Sequence, residues 1–268
     1  MDLLAAAVLG IVQGLTEFLP VSSSGHLILA RAFFGWDAGR FGLAFDVACH
    51  VGTLLAVAVY FRRDVTAMLV AMPGAVTGGG GQAERLVRLI VVGTVPIVAV
   101  AVAFGDQLEG LRSPAVVATT LAIGALGLLA AEALGAKRRD DASVGYGLAF
   151  AIGCAQAMAL IPGISRSGAT LTIAMLAGLR RESAARFVFL LSLPAVLAAA
   201  AKETLDVAEI GVAGLPVTLF VVGLVVSGVV GYLTIKYFLR YLANHSLAVF
   251  AYYRFALAAV TVIWLVTR

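Results

Sequence analysis

The sequence predicts an all-α polytopic membrane protein, with six transmembrane helices plus two re-entrant helix–loop–helix hairpins arranged as an inverted repeat. Three observations predict it. The composition is that of a lipid-embedded chain: 62% hydrophobic residues, 13% charged residues and a mean hydropathy of +1.03, against about 25% charged in a soluble domain. Apolar runs such as Leu54–Val59 and Leu219–Val226 do not alternate, so they read as helices rather than barrel strands. Finally, a polar stretch in the first half of the chain returns in the second.

The apolar segments fall at about 3–19, 26–35, 43–61, 86–104, 114–135, 144–161, 168–179, 183–201, 214–240 and 247–267. A span needs about 20 residues, which 43–61, 86–104, 114–135, 183–201, 214–240 and 247–267 approach. The other four are short and form two pairs, each broken by Pro, Gly and Ser. Such pairs read as hairpins whose tips lie within the membrane, tolerated where protein or a wet cavity surrounds them. Pro73 to Gly81, ending in four glycines, reads as a flexible surface loop. The whole of 1–268 forms one membrane domain.

At a constant offset of 143, Gly10 matches Gly153, Gln13 matches Gln156, Ser22 matches Ser165, Ser24 matches Ser167 and Gly25 matches Gly168. Identities in such unusual polar stretches mark an internal repeat, 1–135 and 143–268. Each copy carries one hairpin and three spans. An odd number of spans inverts the second copy, the architecture of midplane sites. With both termini outside, inner loops hold twelve of the 19 Lys and Arg residues, among them Arg62, Arg85, Arg139, Arg181 and Arg186. The outer side holds five, Arg31, Arg40, Arg112, Lys202 and Arg268. This asymmetry follows the positive-inside rule. Arg166 and Arg254 lie within the membrane.

The net charge of +4 has no clustered basic stripe, which argues against a nucleic-acid partner. Cys49 and Cys154 sit in apolar segments and read as small buried hydrophobes. Met1-Asp2 has no basic region of the kind that opens a cleavable signal.

The chemistry concentrates in Gln13-Gly-Leu-Thr-Glu-Phe-Leu-Pro-Val-Ser-Ser-Ser-Gly-His26 and Pro162-Gly-Ile-Ser-Arg-Ser-Gly-Ala-Thr170. Ionisable groups inside a membrane are costly and mark function. Gln13 and Glu17, four apart, share a helix face. Together they can hold a divalent cation, with the hard-oxygen preference of Mg²⁺ or Ca²⁺. Pro20 ends the first helix. Ser22, Ser23, Ser24 and Gly25 can cap the next and seat a phosphate at its N-terminus. Gly163, Ser165, Ser167 and Gly168 repeat that arrangement, and Arg166 adds a guanidinium able to grip phosphate bidentately or to pair with Glu17. His26 can act as nucleophile or general acid. Thr170 can contact phosphate or back-bond its own helix. Asp46 and His50 share a face that can reach the site or, more simply, serve helix packing, and His245 reads as structural. Arg254 divides evenly between snorkelling outward and a second phosphate contact. Glu132 reads as interfacial, and Gly124, Gly127, Gly223 and Gly228 as close helix-packing sites.

These residues resemble the undecaprenyl-pyrophosphate phosphatase family, the bacitracin-resistance type of bacterial membrane enzyme. Its [E/Q]-x-x-x-E motif is met by Gln13 and Glu17. Its P-V-S-S-x-G-H stretch is met by Pro20 through His26, and P-G-x-S-R-S-x-x-T by Pro162 through Thr170. The likeness spans nearly the whole chain. It implies hydrolysis of undecaprenyl pyrophosphate to undecaprenyl phosphate and inorganic phosphate, which recycles the lipid carrier of peptidoglycan synthesis. It also implies dependence on a divalent cation, a bacterial inner-membrane location and a site open to the periplasmic or outer face. A homodimer is compatible with it. Glu17, Ser23, His26 and Arg166 then lead as catalytic residues. Either Ser23 or His26 can attack phosphorus, and His26 is favoured because imidazole needs no separate base. The competing reading is an inverted-repeat transporter or flippase for an anionic lipid phosphate.

Overall fold

The computed structural model describes residues 2–36, 41–210 and 217–267. Arg40, Arg268 and the start of the expected span 214–240 lie outside them. The described residues form eleven α-helices: α1 (Asp2–Thr16), α2 (Ser23–Phe34), α3 (Leu43–Tyr60), α4 (Arg62–Thr77), α5 (Gln82–Glu109), α6 (Pro114–Leu134), α7 (Tyr146–Met158), α8 (Arg166–Leu176), α9 (Arg181–Ile210), α10 (Val217–Leu242) and α11 (Ala248–Val266). Five of them, α5, α6, α9, α10 and α11, are long and apolar enough to cross a membrane. The bent pair α3–α4 makes up to six if it counts as one span. The protein is therefore a multi-pass membrane protein, and large apolar side chains such as Val70, Val102 and Val266 cover its outer surface.

Local chemistry sets the helix ends. Ser113 caps α6, accepting from the Val116 N–H at 3.4 Å, with Pro114 in the first turn. Gly35 and Gly78 close α2 and α4 in the left-handed conformation that glycine adopts without a Cβ penalty. The expected loop from Pro73 to Gly81 is shorter than the sequence suggests. Pro73 through Thr77 continue α4, because a helix one turn from its end tolerates the lost N–H when neighbours pack it. Ala71 and Ala75 are buried there, beside Val87 of α5. α4 leaves α3 at 87° across Phe61.

The packing pairs elements across the two halves. α1 packs on α10, α7 on α5, α6 on α11, and α3 on both α10 and α9. Glycines allow the closest crossings. A Cβ on Gly52 would lie 2.2 Å from the Leu224 carbonyl oxygen, and one on Gly153 would lie 2.3 Å from that of Gly93. Gly223 faces Phe45 and Cys49, and Gly228 faces the Gly52 backbone. These two fit the expected packing role, whereas Gly127 has only ordinary contact with Thr172 at 3.5 Å. Cys49 is buried as expected. Cys154 is exposed, because its side of α7 faces outward from the bundle.

At one end of the bundle, charged groups tie the helix ends together. Arg186 bridges Asp64 and Asp141, and Arg180 pairs with Asp140. Glu132 receives both Arg181 nitrogens, at 2.8 and 2.5 Å, and the Leu247 N–H at 2.6 Å. Arg85 donates to the Ala142 and Val144 carbonyls. At the other end, Asp46 is held by Arg31 and by Arg112.

The glycine crossings are testable. Gly153→Ala should lower thermal stability in detergent by about 1–3 kcal/mol through overpacking. Gly147→Ala, on the same helix but facing open space, should leave the melting temperature within a degree or two. Equal effects would remove close approach as the reason for Gly153.

Candidate active site

The site begins with two helices that stop early. α1 ends at Thr16, and the Glu17 N–H still bonds the Gln13 carbonyl at 2.9 Å. The chain then turns through Pro20 to Ser22. Ser22 has φ 76° and ψ 96°, caps α2 and accepts from the Gly25 N–H at 3.3 Å. In the second half, α7 ends at Met158, and Gly163 turns the chain at φ 91°. Ser165, at φ 71° and ψ 112°, accepts from the Gly168 N–H at 3.1 Å. Positive φ costs a non-glycine residue about 1–3 kcal/mol, so the same sparsely populated geometry at Ser22 and Ser165 is a shared constraint of both tips. Ser24 lies 3.4 Å from Ser22 Oγ, and Ser167 lies 3.3 Å from Ser165 Oγ.

The two tips touch. Ser167 Oγ donates to the Leu19 carbonyl at 3.0 Å. Arg166 pairs with Glu17 Oε1 across 149 residues of sequence. The other carboxylate oxygen, Glu17 Oε2, accepts from Gln13 Nε2 at 2.8 Å and from the Ser23 hydroxyl at 2.7 Å. Glu17 is 9% exposed and Gln13 fully buried. Ions this deep persist when paired and hydrogen-bonded, and removal of one partner from such a pair costs about 3–5 kcal/mol. A small cavity beside the pair is lined by Glu17, Arg166, Ser167, Thr170, Phe189 and Ser192, among others. Thr170 back-bonds the Arg166 carbonyl at 2.7 Å, the second of the two roles its position allows.

His26 stands in the first turn of α2. Its Nδ1 lies 2.7 Å from the Ser22 carbonyl, which can only accept, so Nδ1 carries the proton. Nε2 is left with its lone pair and accepts from the Tyr253 hydroxyl at 2.8 Å. The two rings stack at 5.6 Å. Tyr253 carries no signal in the sequence; only the packing of α11 brings it to the site.

Arg254 does neither of the things its sequence position suggests. It is 0% exposed, so it neither snorkels nor faces a ligand. Nε donates to the Leu121 carbonyl at 3.1 Å and Nη1 to that of Pro20 at 3.1 Å. Nη2 reaches Thr120 at 3.2 Å, and Gly163 and Ile164 at 3.1 Å each. These carbonyls belong to the two broken tips and to α6. The reason is backbone accounting: a helix that stops leaves acceptors without partners, and a planar guanidinium with five N–H groups satisfies several at once. Gly124 makes room, since a Cβ there would lie 1.9 Å from Nη2. Thr120 adds a hydroxyl bond to the Pro162 carbonyl at 2.6 Å, and a Cβ on Gly163 would meet that hydroxyl at 2.0 Å.

Of the remaining sequence readings, Asp46 pairs with arginines away from Glu17, whereas His50 reaches inward. Its Nε2 lies 3.5 Å from Glu17 Oε2, so it is more than a packing residue. His245 stacks on Tyr241 at the charged end of the bundle. Among the described residues, no three His, Cys, Asp or Glu side chains converge. Gln13 Oε1 is buried without a hydrogen-bond partner, as are both amide atoms of Gln156.

The fold and site define a multi-pass helical membrane protein whose two broken-helix hairpins meet at a buried carboxylate–guanidinium centre. The chain belongs to the bacitracin resistance protein BacA family, whose model matches residues 6–260. It is 50% identical over 263 residues to an undecaprenyl-diphosphatase of Rubrobacter xylanophilus, with 97% of each chain covered. It is 45% identical to one of Alcanivorax borkumensis, covering 99% of this chain and all of that one. An undecaprenyl-diphosphatase of Moorella thermoacetica is 43% identical with 99% of each covered. These relatives are named as diphosphatases, which leaves the transporter reading without support.

Arg254→Met keeps bulk but removes every donor. It should lower thermal stability in detergent by about 3 kcal/mol or more, since each orphaned buried acceptor costs roughly 1–3 kcal/mol. Arg254→Lys should recover only part of that loss. Unchanged melting in Arg254→Met would show that the tips are held by other contacts.

Proposed function

We propose that this chain hydrolyses undecaprenyl diphosphate to undecaprenyl phosphate and inorganic phosphate, returning the lipid carrier to peptidoglycan synthesis. The observation that carries the reading is the meeting of Glu17 and Arg166 at the joined tips, in a chain 50% identical to a named undecaprenyl-diphosphatase. A prenyl diphosphate needs an apolar surround for its tail and cationic and N–H donors for its head. The tips provide Arg166 and the capped N-termini of α2 and α8 for the head.

In this reading Arg166 and the helix N-termini hold the diphosphate and take up the charge that builds on its oxygens. His26 Nε2 attacks the terminal phosphorus. A nitrogen–phosphorus bond forms, the bridging phosphorus–oxygen bond breaks, and undecaprenyl phosphate leaves. The imidazole becomes cationic as it attacks, and its Nδ1–H bond to the Ser22 carbonyl stabilises that charge. Tyr253 gives up its hydrogen bond to Nε2 when substrate enters. Ser23, tied to Glu17, orients the carboxylate and the terminal phosphoryl group. Ser22, Ser24, Gly25, Gly163, Ser165, Ser167, Gly168 and Thr170 shape the tips that receive the phosphates. Water then cleaves the phosphohistidine.

A divalent cation fits Glu17 and Gln13. The carboxylate and the unpartnered Gln13 Oε1 are oxygen donors on one helix face, the kind Mg²⁺ and Ca²⁺ take. When bound, such an ion would supply charge neutralisation for the diphosphate.

The same reading counts α3 as a sixth span and takes α1–α2 and α7–α8 as re-entrant hairpins. The halves 1–135 and 143–268 are then inverted copies in the bacterial plasma membrane. Matching cap geometry at Ser22 and Ser165, and the paired crossings α1 on α10 and α7 on α5, support it. The arginine-rich end lies in the cytoplasm, and the termini and site open outward.

Phosphate release from undecaprenyl diphosphate by purified protein tests the activity. Glu17→Gln, His26→Ala and Arg166→Ala should each lose about 10²-fold or more, while Ser24→Ala loses far less. EDTA should abolish release and Mg²⁺ or Ca²⁺ restore it. Full turnover in folded His26→Ala would remove His26 from the chemistry. Rapid quenching should trap an acid-labile, alkali-stable phosphoenzyme. An acid-stable phosphoserine would instead move attack to the Ser23 hydroxyl, which already donates to Glu17.

A further inference from the structure

We infer that His50 Nε2 is a third ligand of the divalent cation at Glu17 and Gln13, making the site of this chain a mixed nitrogen–oxygen site. The inference rests on the cation proposed above and adds to it a residue from a different helix.

Three atoms carry it. His50 Nδ1 lies 2.7 Å from the Asp46 carbonyl, which can only accept, so Nδ1 donates there and Nε2 is the nitrogen turned inward. Nε2 lies 3.5 Å from Glu17 Oε2. Two bare acceptor atoms do not attract one another, so either a proton or a metal ion belongs between them. Gln13 belongs to the same cluster through its Nε2 bond to Glu17 Oε2, and its Oε1 is a buried acceptor with no donor. A proton on His50 would complete the pair with Glu17 but leave Gln13 Oε1 unsatisfied. A metal ion would engage all three with the Gln13 amide reversed, so that Oε1 replaces Nε2 beside Glu17. The 3.5 Å separation also suits two ligands of one ion, since bonds of about 2.1 Å at right angles put neighbouring donors about 3 Å apart.

The surroundings are those of a built ligand. A metal-binding histidine typically donates its other ring N–H to a carbonyl or carboxylate, which fixes the tautomer and the ring plane. The Asp46 carbonyl does this for His50, and Arg31 and Arg112 anchor the Asp46 side chain from the other side. Arg166 occupies the opposite carboxylate oxygen, so an ion would meet Glu17 on its Oε2 side, in place of the Gln13 Nε2 bond there and beside the Ser23 hydroxyl. Imidazole shifts preference away from Ca²⁺, whose ligands are oxygen atoms, toward first-row transition ions.

The test is Mn²⁺ binding to the purified protein, read by electron paramagnetic resonance. Pulsed spectra of bound Mn²⁺ should show modulation from a directly coordinated ¹⁴N. His26→Ala should keep that modulation, and His50→Gln should lose it and weaken Mn²⁺ binding by about tenfold or more, with Ca²⁺ binding changed much less. Glu17→Gln should lose both the ion and the modulation. Growth on ¹⁵N-histidine should change the modulation frequency in the unaltered protein, a readout that does not depend on a variant folding. Bound Mn²⁺ without nitrogen coupling, or coupling that survives in His50→Gln, overturns the inference. Phosphate release separates the two readings: turnover without nitrogen coupling removes His50 as a ligand and leaves hydrolysis standing. Nitrogen coupling without turnover removes hydrolysis and leaves the ligand.

Discussion

A helix that stops inside an apolar interior leaves backbone groups that water cannot satisfy. This chain stops two helices there, at the ends of α1 and α7, and much of the structure answers that constraint. On the N–H side, Ser22 and Ser165 adopt positive φ so that their hydroxyls accept from Gly25 and Gly168. On the carbonyl side, Arg254 collects acceptors from Pro20, Gly163 and Ile164 while bonded to α6. Glycines at 124 and 163 are small because the guanidinium and the Thr120 hydroxyl occupy the space a Cβ would need. Once the tips are fixed, Glu17 and Arg166 meet without further design.

The tips share a cap geometry but differ in the side chains they carry. At the offset of 143, Glu17 faces Leu160, Ser23 faces Arg166 and His26 faces Ala169. One hairpin supplies carboxylate, hydroxyl and imidazole, and the other supplies the cation. Gln13 and Gln156 are retained in both, yet only Gln13 has a carboxylate four residues on to bond. Gln156 is left buried with both amide atoms unpaired.

Much of this was legible in the sequence because it was anomalous there. Glu17, His26, Arg166 and the serine runs stand out against hydrocarbon, and a polar residue in such a setting needs a reason. The long apolar helices followed from composition, and the caps of α2 and α8 from the serine runs that precede them. What was not legible depended on distant packing. Arg254 sits in an aromatic stretch that fits snorkelling equally well, and its five carbonyl partners lie at least 90 residues away. His50 shares a face with Asp46, and nothing local says that one turns toward Glu17 and the other toward Arg31. Tyr253 and the 87° turn at Phe61 were invisible for the same reason. The helical run through Pro73 was masked by the glycines that follow it.

In the proposed reading the joined tips receive a diphosphate between Arg166 and the N-termini of α2 and α8. The most direct measurement is an experimental structure with a prenyl methylene-diphosphonate, which cannot be hydrolysed at the bridge. Phosphonate oxygens should lie within hydrogen-bond distance of the Arg166 guanidinium and of the first turns of both helices, with the terminal phosphorus beside His26 Nε2. A diphosphonate seated elsewhere, with the Glu17–Arg166 pair and the His26–Tyr253 bond undisturbed, would contradict it.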